Sequence, residues 1–136
     1  MAMSSTQALI QTPTHYGAVA PGTPLPDHIQ RLQLILIKPS KYDDDGYVMR
    51  YVRGVLPSNT MAALAGLTQE VIDRGTLGHI QVDILMLDEI VNRIDARKLA
   101  RKYNRSGIQP LVALCGVQTN QFPRAADMAL EVQAAG

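Results

Sequence analysis

Cysteine is nearly absent from this 136-residue chain; Cys115 stands alone. One thiol cannot form an internal disulfide, and it cannot hold an iron–sulfur cluster, which takes several thiolates. That usage fits a reducing cytoplasm. Long apolar runs are missing, so no membrane span is expected. The N-terminus has no basic region leading into an apolar stretch, so no secretory signal is expected. Excess charge is missing as well: 13 Lys and Arg face 12 Asp and Glu, a net charge of +1. Without a basic surplus there is no broad electrostatic footprint for nucleic acid. Phosphate-loop patterns are absent too. Nothing matches G-x-x-x-x-G-K-[ST], and no G-x-G-x-x-G follows the first apolar strand. Ordinary nucleotide binding is thereby disfavoured. A phosphorelay receiver would need an acidic pair after the first strand and a lone Asp ending the third, where this chain has Gly116 and Val117.

Apolar material is plentiful, at 46% of residues, enough for a single core. It is unevenly spread. Residues 1–30 hold Pro13, Pro21, Pro24 and Pro26, half of the eight prolines, among Ser, Thr, Gln and Gly. This reads as a flexible leader. His15 and His28 in it read as surface histidines, because a metal site needs convergent ligands.

From residue 31 a βα pattern begins. Leu32, Leu34, Ile35, Leu36 and Ile37 form a short apolar run of the kind that makes a buried parallel strand. A polar loop spans residues 38–47; residues 48–56 suggest no definite element. Ser58 is a helix N-cap. Met61, Leu64, Ala65, Thr68, Val71 and Ile72 recur at helical spacing. Gly66 is expected to mark a close approach to the sheet, and Gly75 the helix stop. A second strand is expected over 80–87, where Ile80, Val82 and Ile84 alternate with Gln81 and Asp83, as at a sheet edge. Asp95 caps the next helix and Gly107 ends it. Leu99, Ala100 and Tyr103 face inward there, and Arg97, Lys98, Arg101 and Lys102 face water. The third strand is expected over 111–117, uncharged and containing Cys115 as a small buried hydrophobe. A last helix follows Pro123, with Asn120 or Gln121 near its cap and Ala126, Ala129, Leu130 and Val132 on its apolar side.

The expected fold is α/β: a partial doubly wound, flavodoxin/Rossmann-like parallel sheet, three strands in order 2-1-3 with flanking helices. Such sheets commonly have about five or more strands. The domain over 31–136 is therefore expected to be C-terminally incomplete, or completed by a partner. Its third strand is expected to carry an open edge prone to self-association.

Ligands of open parallel sheets bind beyond the carboxyl ends of the strands. Residues 38–47, 88–94 and 116–122 occupy that place. Asp43, Asp44 and Asp45 suggest a metal, but an EF-hand needs alternating acids and a late Glu, where Gly54 stands. No metal ligand set is assigned. Tyr42, Tyr47 and Tyr51 interleave with Lys41, Arg50 and Arg53. That mixture stacks on bases or serves protein contacts, and the near-neutral charge favours the latter. Cys115 has no activating base in view, and no catalytic residue is assigned.

The segments LILIKPSKYDDDGYVMRYVRGVLPSNT, LDEIVNRIDARKLAR and LCGVQTNQFPRAADMA resemble the N-terminal, cobalamin-binding-type domain of a group of radical S-adenosylmethionine proteins. The resemblance covers about residues 32–136. It implies a Rossmann-like domain that holds cobalamin against a catalytic barrel. The iron–sulfur cluster and S-adenosylmethionine would belong to that barrel, downstream of this chain. The Asp-x-His-x-x-Gly motif that supplies a cobalt ligand in many cobalamin domains is absent here. The cofactor-contacting residues the resemblance implies are Ser40, Tyr42, Asp45, Gly46 and Tyr47 after the first strand. After the third they are Gly116, Val117, Gln118, Thr119, Asn120 and Gln121. Two alternatives stay open: a ligand-free structural or interaction domain of the same fold, and a flavodoxin-like binder of another small molecule.

Overall fold

Strand β1, Arg31–Lys38, is the centre of the molecule, and its composition explains why. Leu34 and Leu36 point to one face of the sheet, Ile35 and Ile37 to the other, and all four are buried. A strand apolar on both faces needs cover on both. The computed structural model describes residues 28–53 and 58–135. In it, β1 lies between β2 (Gln81–Asp88) and β3 (Gln109–Leu114), parallel to each, in the order β2-β1-β3. Nearly all of the Pro-rich leader expected over 1–30 falls outside the described residues.

Helix α1 (Asn59–Asp73) covers one face; α2 (Ala96–Ser106) and α3 (Phe122–Gln133) cover the other. This split is what right-handed crossovers give when the chain steps from β1 to one neighbour and then back to the other. The first face joins Leu34, Leu36, Met61 and Cys115; the second joins Ile35, Ile37, Ala96 and Met128. One helix over three strands leaves the first face partly open, so Leu111 of β3 is 51% exposed.

The caps follow the sequence. Ser58 Oγ accepts from the Met61 N–H at 3.3 Å, and Asp95 Oδ1 from the Lys98 N–H at 2.8 Å. Gly107 closes α2 in the left-handed region (φ 74°) that an L side chain adopts only with strain. Ala96 and Ala100 are buried and Leu99 and Tyr103 pack beside them, while Arg97, Lys98, Arg101 and Lys102 face water.

Three expectations are corrected. Gly66 approaches nothing: a Cβ built there meets no atom within 4 Å. The third strand begins earlier and ends sooner than 111–117, because Gln109 and Pro110 already pair with Leu32 and Gln33. The inward side of α3 is Arg124, Ala125, Met128 and Val132, whereas Leu130 is exposed. Its rotation is set by Arg124, which turns into the fold towards a buried carboxylate.

The Cys115 N–H donates to Ile37 O at 2.7 Å, which fixes the alternation of the β3 backbone. Residues 109, 111, 113 and 115 address β1, and Pro110, Val112 and Leu114 address the open edge. Proline there has no N–H to offer. Its carbonyl accepts from Gln109 Nε2 at 3.4 Å.

Candidate functional site

The chain leaves β1, steps outward to β2, and returns across β1 to β3. The loops after β1 and β3 therefore diverge, and a crevice opens between them. It has a volume of about 270 Å³ and is lined by Lys38, Ser40 and Lys41 from one loop and Gly116, Gln118, Asn120 and Gln121 from the other. Met49, Tyr51 and Ile90 complete the wall. Of the residues expected at a cofactor, Ser40, Gly116, Gln118, Asn120 and Gln121 come together here. Val117 and Thr119 lie in the same β3 loop, exposed and outside the crevice lining.

Tyr42, Asp45, Gly46 and Tyr47 stand apart from that lining, because the first loop folds on itself. Tyr42 and Val48 form an antiparallel bridge. Asp43 Oδ1 accepts from the Asp45 N–H (3.1 Å) and the Tyr47 N–H (2.7 Å), and Gly46 turns the chain with φ 83°. The acidic run thus organises a turn, as Asp does where its side chain can satisfy nearby amides. Beyond the turn, the Tyr51 N–H donates to Ile90 O at 2.7 Å, tying the end of this loop to the exit of β2.

Behind the β1 loop the fold is held by charge. Glu89, at the exit of β2, is 2% exposed, and Arg124, in the first turn of α3, 8%. Arg124 Nε donates to Glu89 Oε1 (3.0 Å) and Oε2 (3.1 Å), and Nη2 to Oε1 (2.6 Å). Glu89 Oε2 also accepts the Ser40 N–H at 3.0 Å. Ser40 Oγ donates to Met49 O. One carboxylate therefore joins the β1 loop, the β2 exit and α3. Burial pulls the Arg124 pKa down, but hydrogen bonds to Glu89 and Tyr42, together with the charges of both partners, carry it above the ordinary arginine value. Arg124 stays charged throughout.

Two more bonds set the crevice shape. Gln121 Nε2 donates to Pro39 O at 2.8 Å, and the Gln118 N–H donates to Gln121 Oε1 at 2.9 Å. Gln121 is thus a brace between the β1 and β3 loops, and it leaves the α3 N-cap without a side-chain hydrogen bond. At the rim, Tyr42 Oη donates to Asp127 Oδ2 at 2.5 Å. Partial burial, then that hydrogen bond, push the Tyr42 pKa up.

Sequence reasoning missed Glu89, Arg124 and Asp127. Glu89 stands in the "LDEI" word and Arg124 in "FPRAAD", and the signal available was an acid directly after a strand matched by a lone Arg in a first helical turn. Glu131, 3.8 Å from Arg124 Nη1, and the exposed Arg50, Arg93 and Arg97 line a second, more open cleft with Glu89 and Arg124. Among the described residues, no helix is long and apolar enough to cross a membrane. No family model, no curated protein and no solved structure matches the chain.

Proposed function

We propose that this chain is an accessory α/β domain that holds a cobalamin-type cofactor in the crevice between the β1 and β3 loops. It would present the cofactor to a radical S-adenosylmethionine barrel outside this chain. The observation that carries the reading is the crevice itself, at the switch point of a 2-1-3 parallel sheet. Its polar lining is chiefly amide and hydroxyl: Ser40, Gln118, Asn120 and Gln121. Such groups both donate and accept, which suits the amide-fringed rim of a corrinoid. A volume of about 270 Å³ takes an edge of so large a ring, so the rest would lie against a partner.

The donor set fits the rim and supplies no cobalt ligand. Among the described residues, His28 precedes β1 and His79 precedes β2, both at the opposite ends of the strands from the crevice. A bound cobalamin supplies organocobalt and one-electron chemistry. This chain's part is to orient the ring with Gln118 and Asn120 and to keep the loops fixed through Gln121 and Glu89. The cluster and S-adenosylmethionine belong to the barrel. The setting we propose is a reducing cytoplasm, in keeping with a lone, buried, free Cys115.

The alternative of a ligand-free structural domain is favoured by one observation: Ser40 and Gln121 already spend their polar groups on the protein. A flavodoxin-like binder of another small molecule would use the same crevice. Titration of the full chain with aquacobalamin, read by absorbance and co-elution, tests the proposal. The wild type should retain the cofactor, and Asn120→Trp, which fills the crevice from an exposed position, should bind about tenfold more weakly with unchanged circular dichroism. A folded wild-type chain that retains none returns the assignment to the structural reading.

A further inference from the structure

The second cleft is distinct from the crevice of the proposed cofactor. It opens on the α2–α3 side, with a volume of about 400 Å³. Four arginines line it: Arg50 from the end of the β1 loop, Arg93 from the β2 exit, Arg97 from the first turn of α2, and Arg124 from α3. Arg124 is spent on Glu89. Arg50, Arg93 and Arg97 are exposed, and none has a carboxylate within 4 Å among the described residues. The remaining acids at the cleft have other work: Asp95 caps α2, and Glu131 faces Arg124.

Each of the three guanidiniums therefore presents its planar fork of N–H donors to solvent, around one concavity, from three different segments. That geometry matches tetrahedral oxoanions, which take several donors at once. Against Glu89, Asp95 and Glu131 in the same lining, the four arginines keep an excess of one positive charge, and three of the guanidiniums have donors left for an anion.

We infer that this cleft binds a multiply charged phosphate group of a small molecule, with Arg50, Arg93 and Arg97 as its donors. The probe is inorganic pyrophosphate, titrated calorimetrically into the full chain at low salt. One saturable site is expected, weakened by added salt because the donors are exposed. Arg93→Gln and Arg97→Gln should each weaken it about tenfold, since each removes a charge-assisted hydrogen bond. Arg101→Gln, an exposed arginine of α2 outside the cleft, should leave it unchanged. Asn120→Trp, which blocks the other crevice, should also leave it unchanged, so the outcome is separate from that of the cofactor proposal. Circular dichroism of each variant confirms the fold. Absence of a saturable site, or an equal loss in Arg101→Gln, would show only diffuse attraction to a basic surface and overturn the inference.

Discussion

Replacing Arg124 by Met removes the guanidinium and keeps most of the aliphatic length. Glu89, 2% exposed in the intact chain, then keeps the Ser40 N–H as its one hydrogen-bond donor among the described residues. Three hydrogen bonds are lost at once. Breaking a buried pair from one side costs about 3–5 kcal/mol, because the surviving charge stays desolvated. We expect about 4 kcal/mol for Arg124→Met. Glu89→Gln should cost less, about 2–3 kcal/mol, because Arg124 still faces Glu131 and the amide oxygen still serves Ser40. The double variant Glu89→Gln/Arg124→Met leaves no unpaired buried charge, since Glu131, which loses Arg124 as well, is partly exposed. It should fall short of the sum of the two single costs by about 2 kcal/mol or more. Urea unfolding followed by circular dichroism is the assay, since the chain has no tryptophan for fluorescence. A loss below about 1 kcal/mol in Arg124→Met, or strict additivity in the cycle, would refute the claim that this pair holds the β1 loop, β2 and α3 together.

Tyr42 should ionise above its ordinary value of about 10, measured as the tyrosinate absorbance missing from Tyr42→Phe. Because the folded pKa is the raised one, this stabilisation is complete below pH of about 10 and fades as pH climbs through the folded value; Asp127→Asn should lower that pKa. Burial likewise pushes the Cys115 thiol up, so disulfide-exchange reagents should label it slowly until urea unfolds the chain. Gly107→Ala should cost about 1 kcal/mol in the same unfolding assay, since alanine is strained at φ 74°. Leu111→Lys should reduce concentration-dependent association in sedimentation while keeping the fold. Ala113→Lys should unfold it, because Ala113 packs against Leu34 and Leu36.

Strands and caps were legible because local chemistry decides them. The β1 run could be buried only between two neighbours, and Ser58, Asp95 and Gly107 act within one turn of themselves. The crevice followed from topology, and five of its residues could be named from the loops. What escaped were interactions between distant positions. Glu89 and Arg124 are 35 residues apart and meet only once β2 and α3 are in place. Their pairing then rotates α3, which is why Leu130 lies outside and Ala125 inside. The part played by the acids of residues 43–45 also needed the folded chain, since Asp43 is consumed by the amides of its own turn.

Pro110 gives the β3 edge a direction. An extended segment docking beside β3 finds the N–H groups of Val112 and Leu114 and nothing to accept at residue 110. Those two donors lie about 6.6 Å apart, two strand residues. The carboxyl half of β3, where both donors lie, runs next to Met128 and Val132, whose side chains form a shallow apolar trough with Ile37 and Leu114. Towards the amino end a pairing strand loses one donor, so edge-to-edge stacking meets an interrupted template. The open edge of β3 thus offers its two amide donors at the carboxyl half, beside the trough.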